Sequence, residues 1–176
     1  MYEHQRQDIH FMLIGSGPML EQMQELSIEL EIDRFVEFTG RIPDSELLER
    51  LSSCDICVNP DKKMPYNDSS TMNKIMEYMA MGKPIVQFDL MEGRNSAQGA
   101  SLYAKGNDAE DFADKILQLL ADPELRRQMG TIGLQRMEKE LEWRYQIPKL
   151  LKAYDFDDLL VSAPKNTEIQ SPVIYK

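Results

Sequence analysis

Apolar residues along this chain alternate between short continuous runs and stretches spaced three and four apart. The runs read as buried strands and the spaced stretches as amphipathic helices. After a polar start over Met1 to Gln7, the pattern predicts a strand at Ile9 to Ile14 and a helix at Pro18 to Leu30. Pro18 suits a first helical turn, and Leu20, Met23, Leu26, Ile28 and Leu30 form the apolar side. A strand at Phe35 to Phe38 follows, then a helix at Asp44 to Leu51 capped by Asp44, then a strand at Asp55 to Val58. Pro60 to Tyr66 reads as a loop. Further on come a strand at Ile85 to Phe88, a loop at Asp89 to Gly99 and a short edge strand at Ser101 to Ala104. Ala109 to Leu120 is a helix with Phe112, Ile116 and Leu119 inward. Another runs from Asp122-Pro123 to about Leu141, and a last one spans Ile147 to Leu160. Strands alternating with helices predict an α/β fold, a Rossmann-like parallel sheet with helices on both faces. Residues 1–161 form one such domain, with 162–176 a loose tail rich in small and polar residues.

The stretch Asn67 to Val86 concentrates the chemistry. Asp68, Ser69 and Ser70 are all N-cap types. Met72, Ile75, Met76 and Met79 make a buried helical stripe, and Gly82 and Pro84 end the helix. A helix start with unpaired N–H groups is an anion site, and the small polar lead-in Asp68-Ser69-Ser70-Thr71 lets a phosphate come close. Glu77 interrupts the apolar turn. Its carboxylate suits the vicinal hydroxyls of a ribose, and it equally suits a surface pair with Lys74 or Lys83. In parallel sheets ligands bind at the carboxyl ends of the strands. The loop at Asn67 to Thr71 and the turn at Gly40 to Pro43 both fall there.

Other candidates are weaker. Gly15-Ser16-Gly17 opens a dinucleotide fingerprint, but its third glycine would fall at Leu20, so the pattern fails. A tight strand-to-helix turn, with a minor role for Gly15 near a phosphate, fits better. Lys62 and Lys63 are either solvated or a clamp on a diphosphate or acceptor. Arg94 suits an anionic donor group or a pair with Glu92. Cys54 and Cys57 form Cys-x-x-Cys, but they span a helix end and a strand start, so they read as packing thiols. Asp155-Phe156-Asp157 lies on a helix and reads as surface charge.

Composition narrows the class. The chain has 176 residues, 42% of them hydrophobic, and a net charge of −10. It is long enough for a full core, and its acidity argues against a nucleic-acid binder. No apolar run approaches about 18 residues, so no transmembrane segment is predicted. The start lacks a signal-peptide pattern, which predicts a cytoplasmic protein.

Glu77-Tyr78-Met79-Ala80-Met81-Gly82-Lys83-Pro84-Ile85-Val86 resembles the Glu-Ala-Met-Ala-x-Gly-x-Pro-Val-Val signature of the retaining family 4 (group 1) glycosyltransferases. Three more segments agree in order: Phe11 to Pro18, Val36 to Pro43 and Asp55 to Pro60. They resemble successive strands and turns of that family's C-terminal, nucleotide-binding domain, one half of a GT-B fold. The resemblance runs from about Asp8 to about Leu141. It implies transfer of a sugar from a nucleoside diphosphate to an acceptor, in polysaccharide or glycoconjugate synthesis, with no metal or cofactor beyond the nucleotide-sugar substrate. Glu77 takes the position of the acid that bonds the donor's ribose. The acid that contacts the sugar falls at Ser69, with Asp68 adjacent. Backbone N–H groups near Ser70 and Thr71 hold the diphosphate, and the turn at Arg41-Ile42 meets the base. The resemblance also implies an N-terminal acceptor domain as partner and a first strand, central in the sheet, ahead of Ile9. Without them the chain is expected to be inactive alone and poorly stable. A GT-B nucleotide-sugar epimerase and a non-catalytic nucleotide-binding or interaction module are the alternatives.

Overall fold

A computed structural model describes residues 6–154. They fall into two compact units that meet in sequence at Cys57/Val58.

In the first unit, β1 (Phe11–Ile14) pairs in parallel with β2 (Val36–Gly40), Phe11 opposite Val36 and Leu13 opposite Phe38. The register slips after Leu13, where Ile14 faces Gly40. Helix α1 (Leu20–Glu29) follows β1, and α2 (Asp44–Ser53) follows β2. Helix α1 starts two residues later than predicted. Pro18 and Met19 form a turn, with the Leu20 N–H donating to the Gly17 carbonyl at 3.1 Å. In α2 the N-cap is Pro43, in extended conformation, so Asp44 stands in the first helical turn and its side chain makes no cap hydrogen bond. Arg50 ties α2 to the sheet. It donates to Glu37 on β2 at 2.7 Å and to Glu46 at 2.9 Å. Leu51 and Cys57 are buried, while Leu13, Leu26, Ile28 and Leu48 are exposed. The Cys54 thiol donates to the Arg50 carbonyl at 3.2 Å, and both cysteines are free of disulfides.

The second sheet has the order β3 (Cys57–Asn59), β4 (Ile85–Phe88), β5 (Ser101–Ala104). Strands β4 and β5 are parallel, with Ile85 opposite Ser101 and Phe88 opposite Ala104. All four residues of β4 are buried, as expected of a strand covered on both faces.

The core of this unit joins Ile75 and Met79 of α4 (Asn73–Ala80) to Ile85, Ala97 and Ala100, with Met72 and Met76 packed at its side. The predicted methionine-isoleucine stripe is thus the inward face of α4. Helix α6 (Ala109–Ala121) sets Phe112 against Phe88, ring centroids 4.8 Å apart. Its N-cap Asp108 accepts from the Asp111 N–H at 3.1 Å. Helix α7 (Pro123–Arg136) is capped likewise by Asp122 and continues into a π turn over Met137–Leu141. Helix α8 (Trp143–Ala153) begins four residues before the predicted start at Ile147.

Two predicted loops contain helices. Four residues of helix, α3 (Pro65–Asp68), close the loop after β3, with Pro65 in the first turn. Helix α5 (Met91–Ala97) occupies the segment after β4. A Cβ at Gly93 in α5 would come to 2.3 Å from Oε1 of the buried Gln87, so that side chain would have to shift. The Asp155-Phe156-Asp157 segment and the predicted tail lie outside the described residues.

Candidate functional site

The chain between β3 and α4 is held from three sides. The Lys63 N–H donates to Asn107 Oδ1 at 2.7 Å, and Asn107 Nδ2 donates back to the Lys63 carbonyl at 3.1 Å. The Lys63 ammonium donates to the Asp89 carbonyl at 2.8 Å. Lys63 is therefore engaged as a strut of this loop. Lys74 pairs with Asp61 at 3.2 Å. Asn67 Nδ2 donates to the Lys62 carbonyl at 2.9 Å.

The polar lead-in to α4 is arranged differently from a simple capping box. The Ser69 and Ser70 hydroxyls turn back and donate to the Pro65 and Tyr66 carbonyls, at 3.2 and 2.7 Å. Asp68 Oδ1 accepts from the Met91 N–H at 2.8 Å, so it caps α5 rather than α4. Thr71 Oγ1 donates to Glu92 Oε2 at 3.1 Å. The N-cap of α4 is Met72, and no side chain caps that helix. Among the described residues the first-turn N–H groups at Asn73 and Lys74 have no hydrogen-bond acceptor, as is usual at a helix start, and they stand at the end where the helix dipole favours negative charge.

Glu77 is exposed on α4. Lys74, one of the two cations proposed as its surface partner, is paired with Asp61 instead. Among the described residues the Glu77 carboxylate has no hydrogen-bond or ion-pair partner. It lies four residues past Asn73, roughly 6 Å along the helix axis on the same face.

Arg94 stands on α5. It pairs with Asp89 at 2.8 Å, not with Glu92, and its guanidinium lies 4.1 Å from the centre of the Tyr103 ring. The hydrogen bond from Arg94 holds the Asp89 carboxyl below its ordinary range. Burial pushes the Tyr103 hydroxyl up to about 12; it donates to the Gln98 carbonyl at 2.7 Å. Among the described residues no group of three or more His, Cys, Asp or Glu is placed to hold a metal ion.

In the first unit, Gly15 and the Arg41-Ile42 turn come together at the carboxyl ends of β1 and β2. The Gly15 N–H donates to the Gly40 carbonyl at 2.9 Å. Gly15 has φ +130° and Gly40 φ +65°, conformations that suit glycine. Arg41 is exposed and Ile42 half-buried.

Sequence reasoning missed two contributors. Glu92 entered it only as a partner for Arg94, and Asn107 did not enter it. The Gly106-Asn107 pair, a turn signal, was the available hint for Asn107, which adopts φ +64°.

Residues 2–122 match the family described as glycosyl transferases group 1. The chain belongs to that family. An uncharacterised glycosyltransferase of Methanocaldococcus jannaschii is 24% identical over 155 residues, covering 84% of this chain and 41% of the relative. Among solved structures, a sucrose-phosphate synthase from Thermosynechococcus elongatus superposes with a TM-score of 0.70 at 24% identity, covering 86% of this chain and 39% of that one. Anabaena HepE, solved in complex with UDP, gives a TM-score of 0.68 at 14% identity, covering 86% and 42%. The group 1 glycosyltransferase chain described here thus spans about two fifths of the length of the relatives it matches, and its α/β fold is that of a GT-B glycosyltransferase domain. No helix among its described residues is long and apolar enough to cross a membrane.

Proposed function

We propose that this chain holds the nucleoside-diphosphate-sugar donor of a retaining glycosyltransferase that passes the sugar to an acceptor, in polysaccharide or glycoconjugate synthesis. The observation that carries this reading is the pairing, on one helix, of an uncapped start with an unpartnered carboxylate. The first-turn N–H groups of α4 bind the diphosphate, and Glu77 accepts hydrogen bonds from the ribose hydroxyls one turn further on. A carboxylate accepts from two vicinal hydroxyls without needing a donor of its own.

Chemistry follows from charge. When the bond between sugar and diphosphate breaks, negative charge grows on the leaving phosphate. Donors already aimed at that position stabilise it without reorganising. The α4 N–H groups and helix dipole are fixed before the donor arrives, because Asp68, Ser69 and Ser70 lock the preceding loop through their own hydrogen bonds. The protein's contribution is this electrostatic stabilisation of the departing diphosphate, with no metal in the step.

The test is calorimetric titration of UDP, GDP and ADP into the protein and into Glu77→Gln. Binding of one of them, weakened in the variant by about 1.5–3 kcal/mol for a lost hydrogen bond to a charged group, supports the reading. Absence of binding to all three by folded protein overturns it.

A further inference from the structure

Helix α8 has no buried residue, unlike α4, α6 and α7 of the same unit. Its main neighbour is the π turn over Met137–Leu141. Gln146, Ile147 and Leu151 are half-buried. Trp143 and Leu150 are 64% and 45% exposed. They stand seven residues apart, about two turns, and so lie in one line along the helix. Tyr154 at the helix end, four residues past Leu150, is also exposed and continues that line. A run of large apolar side chains on one side of a helix, rather than scattered singly, marks a surface that meets a partner.

The charge of this helix runs against that of the chain. The chain has 30 acids against 20 Lys and Arg, yet Trp143 to Tyr154 contain Arg144, Lys149 and Lys152 and no acid. With 3.6 residues per turn, Arg144 and Lys149 stand about 110° to either side of the Trp143–Leu150 line, and Lys152 lies opposite it. Arg144 pairs with Glu142 just ahead of the helix, and Lys149 donates to Gln146 Oε1 at 3.2 Å. Both are solvent-exposed contacts, which hold a charge weakly. Salt screens charges beyond about 8–10 Å. A surface lying on α8 therefore meets the cations beside the apolar line and not the distant acids.

An apolar line that includes Trp, flanked by cations, suits the boundary of an anionic bilayer. Trp and Tyr favour the headgroup level, and Lys and Arg pair with the acidic lipids. A second copy meeting α8 through its own α8 would set cations against cations.

We propose that α8 lies on an anionic lipid surface, with Trp143 and Leu150 at the headgroup level and Arg144 and Lys149 against lipid phosphates. The helix rests in the plane of that surface and does not cross it. This inference is independent of the donor reading, since it uses no residue of α4 or its lead-in.

Trp143 is the single tryptophan of the chain, so its fluorescence reports on α8 alone. The protein is mixed with vesicles of equimolar phosphatidylcholine and phosphatidylglycerol, and separately with phosphatidylcholine vesicles. Emission and co-sedimentation are both read, and wild type, Leu150→Ser and Lys149→Glu are each checked for folding by circular dichroism. The expected result is a blue shift and co-sedimentation with the anionic vesicles only, both lost at high salt. A cation near an anionic surface contributes about fivefold in partition, so Lys149→Glu, a change of two charges, should weaken binding roughly twentyfold. Leu150→Ser should weaken it as well. Absence of binding by folded wild type overturns the proposal, as does equal binding to both vesicles or binding that neither substitution alters. A dimer in sedimentation velocity that Leu150→Ser dissociates would assign the face to a second copy and overturn it too.

Discussion

Gly130 on α7 lies directly against the backbone carbonyl of Gly82. A Cβ at position 130 would come to 2.1 Å from the Gly82 oxygen and 3.0 Å from its carbonyl carbon. Gly82 ends α4 with φ +64°, its N–H donating to the Met79 carbonyl at 3.0 Å and that of Lys83 to Tyr78 at 3.0 Å. The obstacle is backbone held by a helix terminus, so neither side can move cheaply. Gly130→Ala is expected to destabilise the protein by about 1–3 kcal/mol, read from urea unfolding. Gly133→Ala meets the Met79 side chain at 3.1 Å and should cost less.

Acid should weaken the Asp89–Arg94 contact. The folded carboxyl is held low, first by the Arg94 hydrogen bond, against the cost of burial, and then by the charges of Arg94 and Lys63. A depressed folded value means the contribution is present above the unfolded value of about 3.9 and is lost as pH falls through the folded one. Urea midpoints measured from neutral pH down into that range should fall less steeply for Asp89→Asn than for wild type. An unchanged slope would remove Asp89 from the acid response.

Base should act through Tyr103. Burial raises its hydroxyl to about 12, with the Arg94 charge pulling the other way. A raised folded value contributes stability below the unfolded value of about 10 and loses it as pH rises through the folded one. Phenolate absorbance should therefore show one tyrosine titrating near pH 12. Tyr103→Phe should abolish that transition and flatten the alkaline loss of stability, at the expense of the hydrogen bond to Gln98.

Asn107 fastens the loop after β3. Asn107→Gly keeps the left-handed backbone at φ +64° but removes both hydrogen bonds to Lys63. Proteolysis within residues 60–65 should accelerate, while the thermal midpoint changes little. Equal cleavage rates in the two proteins would show that the Lys63–Asp89 bond holds the loop without help.

What could be read from the sequence was what lies within one element. The spacing of Met72, Ile75, Met76 and Met79 marked the inward face of α4, and the runs Ile85 to Phe88 and Ser101 to Ala104 matched β4 and β5 residue for residue. The signature around Glu77 was enough to place the chain in its family. Contacts between distant residues were not legible. Helix α5 was expected as loop, because Gly93 and Ser96 look like breakers. Nothing near Met91 announces that its cap is Asp68, 23 residues earlier. Asp68, Ser69 and Ser70 were rightly seen as hydrogen-bonding residues, but the caps they were expected to form on α4 are spent on α3 and α5. Glu92 was hidden for the same reason: its partner Thr71 is 21 residues away.

The Asp68–Met91 hydrogen bond has a thermodynamic consequence. One carboxylate is shared between the loop ahead of α4 and the first turn of α5, so the opening of α5 and the order of that loop are linked equilibria. An anion that tightens the loop must also slow amide exchange at Met91 and its neighbours, and Asp68→Ala must uncouple the two. Amide exchange at Met91 is thereby the expected readout of the diphosphate site proposed at the start of α4.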